Sequence, residues 1–540
     1  MASPPPFKFK RIRLMTRDDF ESSYGLIAFF LQHPGAAESV QEFIIDPPVW
    51  GSFGDPFPPL PPTPAHLVAL KVDPTACPQI RDHAAWLGLG VTHTQALLAA
   101  LQKKEEELFP RQTEEGGAET QRKPRRFGGS MATRDNLDYI LTAATVLISL
   151  CPNITSLRIN GIHPQTVLGE FLTRNNYGEL PGRFLTKLQK VLVHGYQSHD
   201  ERNYSHLLSM HCFRFFHRLR AVGTFSFDAL ENYQELDVFF PPKVSPGIKK
   251  IVIAHSKLSD YLIYNMIRIP VALEEFSHTD SFALWGAKSD SVETIYPKTL
   301  GKCLLEHKDS LRVLHITAHG LATPAEDSRV DEYKRSTHEI EAWEAGEQGK
   351  GPLSDEINSR YFLNDKTESP KDLPFFVDEI PTIREYAWNS IGSLHDFTNL
   401  THLSIRLGLL LGYYVPLRPE TRYRPVPPGP SSCPQPRETY IYAPSPSVSY
   451  RLVDCLPPSV EYLKLYGYER GKYPVIDSHV VEFLNKKSEL FPRLQEIKGI
   501  DEHIPGEYPA YSLYSDKWTG RMPEDKLWKR PADGLDWGDA

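Results

Sequence analysis

No two cysteines in this 540-residue chain stand in a CxxC arrangement, and the six present (Cys77, Cys151, Cys212, Cys303, Cys433 and Cys455) are scattered. That scatter argues against both a zinc ribbon and a disulfide framework, and a reducing compartment fits best. Basic excess is lacking too. Sixty Lys and Arg against 68 Asp and Glu leave a formal charge of −8, which gives no reason to expect nucleic acid as the main partner. No run approaches the roughly 18–20 apolar residues that a membrane helix needs, so no membrane partner is expected. The opening MASPPPFKFKRIRL is basic but carries no apolar h-region, and no secretory signal is expected. GxSxG, GxxxxGKS/T and GxGxxG after a strand pattern are all missing, so the usual hydrolase and nucleotide signatures are absent.

What is present is a recurring spacing. An apolar share of 40%, with 11% aromatic residues, is enough for a real core. Cys151–Gly161 reads CPNITSLRING, with apolar residues at Ile154, Leu157 and Ile159, three and then two apart. Leu157 and Ile159 flank Arg158 as in a strand buried on one face. Upstream, Leu137–Leu150 has the broad apolar face of a helix. The same spacing starts at Val40, Leu67, Leu188, Leu219, Ile248, Leu273, Leu311, Leu400, Val460 and Leu494. Proline stands two residues ahead of the first anchor in CPNI (Cys151–Ile154), PPSV (Pro457–Val460) and FPRL (Phe491–Leu494). Helices are predicted between these units at Asp18–Gln32, Arg81–Phe109, Glu201–Phe216, Lys257–Ile269, Val292–His307 and Ser478–Lys487. A chain this long exceeds one compact core, but a solenoid grows its core in one dimension as units are added.

The segments divide as follows. Residues 1–109 hold N-terminal helix and strand units, and 110–130 form a basic linker containing Arg122, Lys123, Arg125 and Arg126. Residues 131–321 hold the central repeats. An acidic, partly disordered insertion is expected over 322–374, followed by a repeat unit at 375–415. Ten prolines crowd Pro416–Pro446, marking a second insertion at 416–446. The last repeats occupy 447–500, and 501–540 is a cap or tail. The linker is read as solvated, with nuclear import as its functional alternative, so the expected location is cytoplasmic or nuclear. Sequons occur at Asn153, Asn203 and Asn399, two of them immediately before buried anchors where a glycan would not fit.

LISLCPNITSLRI and LPPSVEYLKLYG resemble the irregular leucine-rich repeats of fungal F-box/leucine-rich-repeat proteins, over most of Leu137–Ile500. The resemblance implies an α/β leucine-rich-repeat solenoid, a horseshoe with parallel strands on its concave face and helices on its convex face. In that family an F-box docks the Skp adaptor of a cullin ubiquitin ligase while the repeats bind substrate. A segment of the form LPxELLxxIFxxL is missing from Met1–Gln32 and from Arg81–Phe109. The leading expectation is therefore a non-catalytic scaffold that binds a protein partner of unknown identity. The alternative is a ligase substrate receptor with a divergent or missing F-box, and the third reading is an enzyme whose site assembles from distant residues.

If the anchors point inward, the alternating residues build the binding face. These are Ser156, Arg158 and Asn160; Lys190, Leu192 and His194; Val313, His315 and Thr317; His402, Ser404 and Arg406; and Tyr462, Lys464 and Tyr466. Tyrosine and arginine on a rigid surface are types that concentrate binding energy. His199, His206, His211 and His217 form the densest histidine group, yet His206 and His211 are five apart and no HExxH occurs. They are read as surface histidines on a helix, not zinc ligands. His315 and His319 are four apart, on and just after a strand pattern, and make no helical metal pair. No catalytic, cofactor-binding or metal-ligating set is assigned.

Overall fold

The computed structural model of the chain describes residues 9–14, 17–45, 74–109, 134–160, 162–194, 205–207, 209–228, 230–232, 240, 242–256, 258, 260–280, 297–317, 390–411 and 450–504. Its strands, in chain order, are β1 (Arg11–Leu14), β2 (Glu42–Ile45), β3 (Ser156–Asn160), β4 (Lys190–His194), β5 (Ser205–Leu207), β6 (Thr224–Asp228), β7 (Leu230–Asn232), β8 (Lys250–Ser256), β9 (Glu275–Asp280), β10 (Val313–Ile316), β11 (His402–Arg406), β12 (Tyr462–Tyr466) and β13 (Glu496–Lys498). The longer helices are α1 (Arg17–Gln32), α2 (Cys77–Trp86), α3 (Val91–Leu108), α4 (Arg134–Leu150), α5 (Val167–Tyr177), α6 (Ser209–Arg214), α7 (Asp260–Arg268), α8 (Pro297–Leu305) and α9 (Pro474–Leu490). Eleven strands form one open sheet in chain order, and β5 and β7 pair separately. Every pairing is parallel. The architecture is α/β.

The spacing of three and then two becomes three columns, buried except at the partly buried Ile497 of the last strand. Ile12, Phe43, Leu157, Val191, Phe225, Ile251, Phe276, Leu314, Leu403, Leu463 and Ile497 stand level across the sheet. Two residues on, Leu14, Ile45, Ile159, Val193, Phe227, Ile253, Ile316, Ile405 and Leu465 fill the next column, with the buried His278 taking the β9 position. Three residues ahead of the first column, Phe9, Val40, Ile154, Leu188, Val222, Ile248, Leu273, Leu311, Leu400, Val460 and Leu494 close the turns. Helix residues such as Leu147, Phe171, Ile263 and Phe483 join the same core cluster. Fully burying one such side chain stabilises by about 1.5–3 kcal/mol, against an ordering cost of about 1–2 kcal/mol per residue, so each unit depends on many buried groups.

Backbone hydrogen bonds tie each strand of the main sheet to the one before it. Lys10 O accepts from Gln41 N and Glu42 N, Gln41 O from Thr155 N and Ser156 N, and this two-donor rung recurs unit by unit as far as Glu461 O, Gln495 N and Glu496 N. The residue before the first anchor braces many turns. Asn153 Nδ2 donates to Glu38 O and Asn399 Nδ2 to Asp309 O, each at 2.6 Å. The Ser39 and Ser459 hydroxyls donate to the carbonyls of Ala36 and Leu400. The amide nitrogens of two sequons are thus already committed to the fold. Across the chain between Ile316 and Ser390 the stack stays in contact. Gly301 of α8 lies so close to the carbonyl of Ile391 that any Cβ there would collide with it.

Several expectations need correction. FKRIRL (Phe9–Leu14) matches the repeat template and forms the first strand, where only a basic patch was read. Arg81–Phe109 is two helices, broken between Trp86 and Val91, with Gly88 at φ +69°. The unit placed at Leu219 starts at Val222, because Phe225, not Val222, is level with Val191. Within Glu201–Phe216 the chain forms strand β5 before the short helix α6. The match at Leu67 lies outside the described residues, and β2 pairs directly with β3, leaving no place between them. The expected linker, both insertions and His199 and His319 also fall outside the described residues, as does the tail beyond Ile504. His211 and His217 are buried, not on the surface.

Burial of His211 and His307 makes stability depend on pH. His307 accepts a hydrogen bond from Leu273 N at 3.2 Å through Nδ1, and its Nε2 donates to Ile267 O at 2.8 Å, a pattern only the neutral ring can make. His211 has no partner for either ring nitrogen among the described residues. Burial holds both rings below the ordinary histidine range. The unfolded chain takes up protons near pH ~6.5 that the native chain refuses, so this stability is present above that value and is lost as pH falls below it. Each ring contributes a slope of at most about 1.4 kcal/mol per pH unit. Urea midpoints should drop between neutral pH and about 5.5; a flat profile would show that these rings are protonated in the folded chain.

Candidate functional site

Alternation along each strand turns one set of side chains away from the helices, and the register sorts them into rows. One row runs Arg11, Glu42, Ser156, Lys190, Thr224, Lys250, Glu275, Val313, His402, Tyr462, Glu496. The next runs Arg13, Ile44, Arg158, Leu192, Ser226, Val252, Ser277, His315, Ser404, Lys464, Lys498. Asn160 pairs in register with His194, and Arg406 with Tyr466. Thr317 follows β10 and is half-buried. The residues expected to share one face therefore do occupy matching positions of one sheet.

Two outward charge pairs are matched across the first and middle strands of the sheet. Arg11 pairs with Glu42, and Lys250 with Glu275. Arg13 is buried, with Nε 3.3 Å from Asp19 of α1, and Ile44 beside it is buried as well. Lys190 is exposed, and Arg158 and Ser156 are half-buried.

The C-terminal end is different. His402 and Tyr462 stack with ring centres 5.9 Å apart, and Lys498 Nζ lies 5.6 Å from the Tyr462 ring. Lys464 Nζ sits 4.7 Å from the centre of Tyr466. Tyr466 in turn reaches across β11, which carries the small Ser404 level with His315, and its hydroxyl lies 3.0 Å from His315 Nε2. The Ser277 hydroxyl lies 3.4 Å from His315 Nδ1, longer than the ~2.6–3.2 Å of a nucleophile and its base. Burial first, then the charge of Lys464, keeps His315 below the ordinary range, so its ring is neutral at neutral pH. The arrangement holds rings beside ammonium groups.

Two of the chosen contact residues are not on the surface. Arg406 is 9% exposed and Tyr466 only 6%. Alternation turned them away from the helices, but their own face is crowded there. Tyr466 is the floor of the cluster, and His402, Tyr462, Lys464 and Lys498 are its accessible wall. The side chains of Asn160 and His194 lie outside what the structure describes. The contact between His315 and Tyr466 joins positions far apart in the chain, and nothing in either local sequence points to it.

Among the described residues no group of three or more His, Cys, Asp or Glu could hold a metal ion, and no helix is long and apolar enough to cross a membrane. No family model, no curated protein and no solved structure matches the chain.

Proposed function

We propose that the chain is a protein-interaction scaffold of leucine-rich-repeat type, curved so that the outward sheet face is concave, and that a protein partner binds on that face. The observation that carries this reading is the cluster of His402, Tyr462, Lys464 and Lys498, set on paired strands above a buried Tyr466. Tyrosine offers large contact area for little lost freedom, and a rigid sheet removes most of the remaining ordering cost. Ring–ammonium contacts add about 0.5–1 kcal/mol each at such sites.

The test compares two variants. Tyr462→Ala with Lys464→Ala should weaken partner capture by about thirtyfold, equivalent to ~2 kcal/mol, with circular dichroism unchanged. Deleting residues 325–368 should leave capture intact. The opposite pattern, loss on deletion and retention in the folded double variant, would move binding off the sheet face and onto the insertion.

A further inference from the structure

The outward charges follow a rule that is broken at one place. Residues directly opposite each other on neighbouring strands interact, and like charges there are destabilising. Arg11 faces Glu42, and Lys250 faces Glu275. Lys464, however, faces Lys498 on β13. Among the described registers it is the one pair of like charges directly opposed. Lys498 is partly met by Glu496 at 2.9 Å. Lys464 contacts the Tyr466 ring, and no carboxylate pairs with it among the described residues.

The outward positions of the three strands before β13 hold only cationic or neutral side chains, and Glu496 of β13 is the acid beside the pair. The outward residues of β10, β11 and β12 are Val313, His315, His402, Ser404, Arg406, Tyr462, Lys464 and Tyr466, with no acid among them. This stands on a chain whose formal charge is −8. A cationic patch on an acidic body favours anionic partners and turns most of the surface against them, which is how charge gives selectivity. Parallel strands about 4.8 Å apart place the two ammonium stems close enough to straddle one carboxylate.

We propose that Lys464 and Lys498, walled by Tyr462 and His402, recognise a Glu or Asp side chain in an extended acidic segment of the partner protein. This rests on the scaffold reading and names its ligand chemistry. Binding places a negative charge between two cations that otherwise repel, so the sheet gains when the site fills. Lysine on an edge strand can also serve to discourage edge pairing, which would account for Lys498 but not for Lys464 on the inner strand.

The test uses the full chain and a fluorescein-labelled peptide alternating Glu with Ser, read by anisotropy. A peptide with Gln in place of Glu should bind at least about tenfold more weakly, and salt should weaken the Glu peptide. Lys464→Glu should cost about tenfold or more, while Lys308→Glu, at an exposed position between α8 and β10 and off the sheet face, should change affinity less than about twofold. Circular dichroism checks that both variants fold. Equal losses in the two variants would reduce the effect to diffuse charge and overturn the site. Binding seen only after deletion of 325–368 would assign the patch to the chain's own acidic stretch and overturn an outside partner. A partner captured through Tyr462 that the Glu peptide cannot displace would overturn acidic recognition while leaving the scaffold reading in place.

Discussion

Replacing Asp19 by Ala should destabilise the N-terminal units by about 3–5 kcal/mol, because it removes the carboxylate that meets the buried guanidinium of Arg13. Both side chains are essentially excluded from solvent, at 1% and 0% exposure. Most of the cost is desolvation of a buried charge that has lost its opposite charge. In a stack where each strand pairs only with the strands beside it, the damage should stay local. Amide exchange in β1, β2 and α1 should accelerate strongly, and exchange in β11 and β12 should not change. The double variant Arg13→Met with Asp19→Leu should recover most of the loss, as apolar replacements of buried pairs often do. Unchanged exchange in β1 of Asp19→Ala would mean that the pair carries no net stability.

Phe225→Ala should cost about 3–5 kcal/mol and open the middle of the array. Phe225 is fully buried in the central column, stacked on Phe213 of α6 at 4.3 Å and in contact with Phe216 and Phe227. Three of its contact partners are aromatic, so the cavity cannot collapse without moving large rings. Leu157→Ala, two strands away in the same column, should cost about 2–5 kcal/mol by the same reasoning. Urea titration followed by circular dichroism measures both. A loss under about 1 kcal/mol at Phe225 would show that the register of β6 is misplaced.

How far these features could be read in advance depends on what each position has to satisfy. An anchor must be apolar in every unit, so Leu157, Ile251, Leu314, Leu403 and Leu463 were all legible from spacing alone. Two anchors of the same kind near each other defeat the method. Leu219 and Val222 are three apart, and only the pairing of Phe225 with Val191 shows that the unit begins at Val222. Charge hid β1, since Lys10, Arg11 and Arg13 read as a basic patch although Phe9, Ile12 and Leu14 hold the template. Alternation also reports which face a side chain takes, not how crowded that face is. Hence Tyr462 is half-buried on the outward face, whereas Tyr466 and Arg406, of the same outward set, are buried. The link from His315 to Tyr466 passes over a strand and leaves no periodic trace.

The rungs joining each unit to the one before it also bear on how the chain is made. Every strand of the main sheet after β1 finds its first partner among residues that the ribosome has already released. At roughly 5–20 residues per second, a complete unit emerges within seconds and can dock at once on a finished template. Growth from the amino end therefore requires no residue still to be translated, but it pauses while synthesis runs on from Ile45 to Ser156 and again from Ile316 to His402. During those intervals β2 and then β10 are the raw edge of the nascent sheet. A chaperone that shields the growing protein would be needed longest at β2, where the stretch still to be made is the longer.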